Sequence, residues 1–150
     1  MLVVDTSAII DALVHGNSAT ALADRLAGDG DLHAPHLIDV ELLHALRRLE
    51  RRTELSGERA DDVRADFAAL PVTRYPQLGL GERIWQLRHN LTAYDAAYVA
   101  LAEALEVPLI TCDSRLAAAP GHHADVEVFE AQSRSVDEES AEGAPAACDP

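Results

Sequence analysis

Residues 2–16 read LVVDTSAIIDALVHG. Leu2, Val3 and Val4 form a short unbroken aliphatic run, the pattern of a strand buried on both faces. From Thr6 onward Ile9, Ile10, Leu13 and Val14 fall at helical spacing, with Gly16 placed as the C-cap. A buried strand that turns directly into a helix is the building unit of an α/β sheet, and Asp5 stands at the turn.

The rest of the chain repeats that alternation. A second helix is read over residues 18–27 and a strand over 31–35, ending at Pro35. A long helix follows over 36–52, with Leu37, Val40, Leu43, Leu46 and Leu49 as its apolar stripe. Ser56 is placed as N-cap of a helix reaching residue 69, and residues 71–75 form a weak strand. Helices are read over 80–89 and 93–105. Strands follow over 107–111, leading into Asp113, and over 126–129. Strands alternating with helices predict an α/β layer structure around a mostly parallel sheet. Residues 131–150 lose periodicity and carry five acids against one Arg, so residues 1–130 are read as the domain and 131–150 as an acidic, disordered tail.

Composition excludes several chemistries. The 12 cations are all Arg and face 26 acids, for a net charge of −14. Without a lysine, a P-loop, a Schiff base and a lysine general base are impossible. An aromatic content of 4% rules against a base-stacking platform for single strands, and the core must be aliphatic. Two cysteines, Cys112 and Cys148, have no metal-site spacing and suit a reducing compartment. No secretory h-region follows Met1 and no apolar run approaches ~20 residues, so a soluble cytoplasmic protein without membrane contact is expected.

Four carboxylates stand out from the pattern. Asp5 and Asp113 follow predicted parallel strands, at the sheet edge where open α/β folds bind ligands. Asp95 is the polar residue in YDAAYVALAEAL, and Glu41 lies inside the helix DVELLHALRRL. Each has a plain structural reading. Asp5 and Asp113 can cap helices, and Glu41 can complement a helix dipole, whereas a carboxylate among alanines and valines needs a partner. Together, carboxylates at close range repel unless a hard divalent cation neutralises them, and Mg²⁺ or Mn²⁺ prefers such oxygen ligands. Two such ions about 4 Å apart activate water and stabilise the leaving oxygen in phosphodiester hydrolysis. Arg47, Arg48, Arg51 and Arg52 follow Glu41 on the same helix, with positions 48, 51 and 52 on one side. They are either a solvated face paired with Glu50 and Glu54 or a phosphate-contacting strip, and Arg115 is a similar candidate beside Asp113. Tyr94 and Tyr98 flank Asp95 and are read chiefly as packing. Ile84, Leu87 and Leu91 with Trp85 are read as core or dimer surface.

DTSAIIDAL at the N-terminus, Glu41 in a leucine-rich helix, RHNLTAYDAAYVALAEAL and the closing LITCDSRL together resemble the PIN-domain ribonucleases, and among them the VapC-type toxins of toxin–antitoxin pairs. The resemblance spans residues 1 to about 130 and implies a three-layer α/β/α sandwich. It also implies Mg²⁺-dependent endonucleolytic cleavage of RNA, a VapB-like antitoxin that inserts into the groove, and a homodimer. By that likeness Asp5, Glu41, Asp95 and Asp113 are the catalytic acids, with Asp5, Asp95 and Asp113 binding metal and Thr6, Ser7 and Thr111 supporting them. Ser114 stands where some members carry another acid. Two other readings of the same residues are a non-catalytic PIN scaffold acting as an interaction module and a metal-dependent nuclease acting on DNA or flaps.

Overall fold

The computed structural model describes residues 1–15 and 21–131. Gly16, the start of the helix read from residue 18, Cys148 and nearly all of the acidic tail lie outside the described residues. In chain order the elements are β1 (Leu2–Val4), α1 (Thr6–His15), α2 (Ala21–Asp29), β2 (Leu32–Pro35), α3 (Ile38–Arg51), α4 (Gly57–Ala69) and β3 (Val72–Tyr75). A 3₁₀ turn (Gln77–Leu80) then leads into α5 (Gly81–Gln86), α6 (Ala93–Leu105), β4 (Leu109–Thr111), α7 (Ser114–Ala118) and β5 (Val126–Val128).

All strand pairings are parallel, and the order is β3-β2-β1-β4-β5. The chain winds outward from β1 to β2 and β3, then returns to lay β4 on the other side of β1. The strand order therefore reverses between β1 and β4, and a crevice opens beyond their C-terminal ends. Val3 pairs with Leu109 and Val4 with Ile110, which sets Asp5 beside the end of β4. The backbone N–H of Asp5 donates to the Ile110 carbonyl at 2.9 Å, so the ladder itself fixes the aspartate.

Helices cover the sheet in a three-layer α/β/α arrangement. α6 packs on β1, β2 and β4 with α5 against it, while α1, α3 and α4 pack on one another and α1 also touches β4. The unbroken burial of Ala96 through Ala102 follows from four alanines and a glycine-free apolar run that let α6 lie close to the strands. Ser56 caps α4 as read from the sequence, its hydroxyl accepting from the Arg59 N–H at 3.2 Å. Among the described residues no helix is long and apolar enough to cross a membrane.

Three readings need correction. On α3 the buried residues are Ile38, Leu42 and Leu46, while Val40 and Leu43 are 70% and 50% exposed. A strict three-residue repeat drifts by about 60° per step around a 3.6-residue helix, so the stripe drawn from Leu37 to Leu49 cannot stay on one face; a four-residue step drifts less. The helix read over 80–89 is divided. α5 ends at Gln86, where the N–H of Leu87 reaches the carbonyls of Arg83 and Trp85, and turns follow so that Thr92 can adopt the extended backbone of an N-cap. α7 is anticipated only as a helix start after Asp113 and given no range, because five residues are too few for helical periodicity to register.

Glu103 on α6 anchors the segment after α7. Its buried carboxylate accepts from Arg83 Nε at 2.6 Å and Nη2 at 2.9 Å, and from the backbone N–H of His123 at 2.9 Å. Arg83 holds the Glu103 carboxyl below the usual range. A depressed carboxylate adds stability above its unfolded pKa, and that stability is lost as pH falls through the folded value. Glu103→Gln is therefore expected to lose about 1–3 kcal/mol in urea denaturation at pH 7. The gap to the unaltered chain should close as both are titrated below pH ~4.

Candidate active site

A groove of about 1410 Å³ opens at the crevice between β1 and β4, and Asp5, Glu41, Asp95 and Asp113 all line it. Four residues far apart in sequence reach it because β1, α3, α6 and β4 end or begin at the same edge of the sheet.

Asp5 is the most enclosed of the four. The hydroxyls of Ser7 and Thr111 both donate to its Oδ2, at 2.6 and 2.7 Å. These hydroxyls are themselves fixed: the Cys112 N–H donates to Ser7 at 2.9 Å and the Asp113 N–H to Thr111 at 3.0 Å. Burial nevertheless pushes the Asp5 carboxyl above its ordinary value, against the lowering pull of the hydrogen bonds and with a further push from Asp95. Thr6, Ser7 and Thr111, read as supporting residues, thus all contact one of the acids, although Thr111 itself does not line the groove.

Glu41 is held through Oε2, which accepts from the Tyr98 hydroxyl at 2.6 Å and lies 3.0 Å from the Thr6 hydroxyl. Burial raises its carboxyl, and the charges of Asp5 and Asp95 add to the rise. The Tyr98 phenol is driven up strongly, first by burial and then by its bond to Glu41. Tyr98 is 1% exposed, and the sequence reading missed its role. A tyrosine in an apolar helix looks like packing until its hydroxyl partner, 57 residues away, is known.

Asp95 does not sit unpartnered on an apolar face. It occupies the first turn of α6, where Thr92 Oγ1 accepts from the Asp95 N–H at 3.1 Å and donates to Oδ2 at 2.8 Å. This is an N-cap by Thr92 whose hydroxyl also holds the Asp95 carboxylate, a signal legible in the segment TAYD. Asp113 is also a cap: it accepts the Arg115 N–H at the start of α7, while the Arg115 guanidinium engages both oxygens. The Arg115 bonds hold the Asp113 carboxyl below its usual range. The capping reading of Asp113 is therefore correct and its place in the groove is also observed.

Of the proposed phosphate contacts, Arg48 and Arg115 line the groove, whereas Arg51 and Arg52 do not, and Arg52 lies 3.9 Å from Glu54. Arg48 lies seven residues beyond Glu41 and returns to its face after two turns, Arg51 is turned about 80° from Glu41, and Arg52 returns to that face only beyond the last residue of α3. Arg59 and His44 also line the groove and were not anticipated. Among the described residues no three His, Cys, Asp or Glu side chains gather at metal-binding distance. The donor set still fits a hard cation that keeps most of its waters and takes one or two carboxylates, because it is all oxygen and two of its acids are raised by burial and mutual repulsion.

The fold order, the switch-point crevice and the facing acids have the form of a PIN domain, and the chain belongs to that family, whose model matches residues 2–121. Within the family it is of the VapC type. It is 54% identical over 124 residues to Ribonuclease VapC1 of Mycobacterium tuberculosis, covering 79% of this chain and 90% of that one. Among solved structures it resembles VapBC2 from Rickettsia felis bound to a DNA fragment from their promoter, with a TM-score of 0.63 at 13% identity over 86% of this chain and 98% of that one. It also resembles Mycobacterium tuberculosis VapC20, a sarcin–ricin loop cleaving toxin, with a TM-score of 0.55 at 20% identity over 79% and 94% of the two chains. These two likenesses establish the shared fold.

A carboxyl raised by burial destabilises the fold as pH rises through its folded pKa, and the penalty vanishes once it is protonated. Asp5→Asn, which keeps an acceptor for Ser7 and Thr111, is therefore expected to unfold at a higher temperature than the unaltered chain in EDTA at pH 7–8. The difference should shrink toward pH 4. A less stable variant at neutral pH would contradict this account of the site.

Proposed function

We propose that this chain is the toxin of a toxin–antitoxin pair, a Mg²⁺-dependent endoribonuclease that hydrolyses RNA phosphodiester bonds, with Mn²⁺ able to substitute. The single observation that carries this reading is the meeting of four carboxylates in one switch-point groove, with Asp5 raised by burial and the charge of Asp95, and Glu41 by burial and the charges of Asp5 and Asp95. The names of its relatives, a ribonuclease and a sarcin–ricin loop cleaving toxin, supply the substrate class. A bound divalent ion would offset the clustered charge and make water a competent nucleophile at neutral pH.

The chain's own residues divide the remaining work. Asp5 and Asp95 would hold the cation, Asp5 with its orientation set by Ser7 and Thr111, and Asp95 with its orientation set by Thr92. Asp113 joins them when Arg115 releases it, and an Arg115 freed in this way is well shaped for a phosphate oxygen. Glu41, held by Tyr98 with Thr6 beside it, completes the acidic wall. Arg48 lies two turns along α3 from Glu41, about 10 Å away by helix rise, which suits a phosphate flanking the scissile one. The solved VapBC2 assembly supports a VapB-like antitoxin as partner. A homodimer is supported by the exposed apolar side chains of Leu78 and Trp85, at 94% and 67%.

Purified chain freed of antitoxin is expected to cut a structured RNA with Mg²⁺ and to stop with EDTA, leaving DNA of the same sequence intact. Asp5→Ala and Asp95→Asn should each lower the rate by at least about a hundredfold; undiminished cleavage in either would overturn the reading. The salt dependence of RNA binding should be shallow, and Arg48→Ala should reduce its log–log slope by about 0.7, the single-strand value for one phosphate contact.

A further inference from the structure

Tyr98 carries a hydroxyl that packing does not need. Its ring is buried in the alanine-rich stretch of α6, where phenylalanine would pack equally well, and a buried hydroxyl is unfavourable without a partner. Its partners are Thr6 and Glu41. The three oxygens, Thr6 Oγ1, Tyr98 Oη and Glu41 Oε2, form a triangle with edges of 2.8, 2.6 and 3.0 Å.

Proton counting resolves the triangle. With Glu41 ionised, two hydroxyl protons are available for three edges, so one edge is always empty. The two shortest edges run from Thr6 to Tyr98 and from Tyr98 to Glu41. Filling them makes a relay in which Thr6 donates to Tyr98 and Tyr98 donates to the carboxylate, each bond polarising the next. The 3.0 Å edge from Thr6 to Glu41 is then the empty one. Among the described residues Oε1 of Glu41 has no protein hydrogen bond, so the grip falls on Oε2 alone.

We infer that Tyr98 is a positioning residue for the hydrolytic site: its hydroxyl, oriented by Thr6, fixes the Glu41 carboxylate by Oε2 and reserves Oε1 for the groove. Tyr98 itself does not line the groove, so it acts through Glu41 and not on the RNA. The inference rests on the ribonuclease reading above for its catalytic consequence, but the coupling between Tyr98 and Glu41 can be measured without activity.

Tyr98→Phe, Thr6→Val, Glu41→Ala and the double variant Tyr98→Phe/Glu41→Ala are compared in the full chain for kcat, KM and urea midpoint. Tyr98→Phe is expected to lower kcat about tenfold or more, as loss of a charge-assisted bond does, with KM for RNA unchanged. Thr6→Val should cost less than Tyr98→Phe, because it acts one bond further back. The double variant should be no slower than Glu41→Ala alone, and the urea midpoints should be non-additive in the same way. Unaltered kcat in Tyr98→Phe, a change confined to KM, or losses that multiply in the double variant would each overturn the inference. If the unaltered chain cleaves no RNA, the ribonuclease reading fails; the urea cycle then decides the clamp alone, non-additive midpoints upholding it and additive ones overturning it.

Discussion

The buried carboxylate of Asp5 is the constraint around which the rest of the site is arranged. An anion buried at the end of a strand, between the start of α1 and the neighbouring strand, is unfavourable unless donors meet it. Here the donors come from both sides of the reversal in strand order, Ser7 from the first turn of α1 and Thr111 from the last residue of β4. The β1–β4 ladder must therefore be in register before Asp5 is satisfied, and once it is, Cys112 and Asp113 are drawn in by their N–H bonds to the same two hydroxyls. Sheet pairing and site assembly are one event.

The other three acids are met differently, and the difference follows from where each sits. Asp95 and Asp113 lie at helix starts, where unpaired N–H groups and short polar neighbours are at hand, and both serve as or within caps. Glu41 lies one turn into α3, beyond the reach of capping, and depends on side chains from α1 and α6. The acids at helix starts are anchored locally, whereas Asp5 and Glu41 depend on tertiary structure. Those two are also the carboxyls that burial raises, so the strained part of the site is the part that only the complete fold can assemble.

The same division explains what the sequence made legible. Strand-to-helix junctions at Asp5 and Asp113, the Ser56 cap and the order of strands and helices are local patterns, and the alternation of elements fixes a parallel α/β sheet. The phase of α3 was not legible, because seven aliphatic residues in its vicinity admit several stripes and only the packing of Ile38, Leu42 and Leu46 selects one. The cap around Asp95 was legible in TAYD but outweighed by the apolar run after it. Tyr98 and Arg59 were not, since their partners come from other elements. The separation of Arg48 from Arg51 follows from helix rotation, and that of Arg52 from the end of α3 at Arg51, once Glu41 is known to face the groove, which the sequence left open.

The acidic balance of the chain acquires a different meaning once the arginines are located. Arg25 grips Glu127, Arg74 grips Asp39, Arg83 grips Glu103 and Arg115 grips Asp113, all through paired or short contacts. Arg59 is turned onto the Leu13 carbonyl and Arg88 onto the Trp85 ring. Among the described residues Arg47, Arg48 and Arg51 have no carboxylate partner, and of these only Arg48 lines the groove. A protein built this way has committed most of its positive charge to its own fold, and the groove it leaves is acidic along one wall with isolated cations beyond. A polyanion cannot be drawn to such a surface by a broad basic field. Attraction must instead be concentrated where the four acids meet, through whatever positive charge they gather, and the same groove offers a basic partner segment several carboxylates at once.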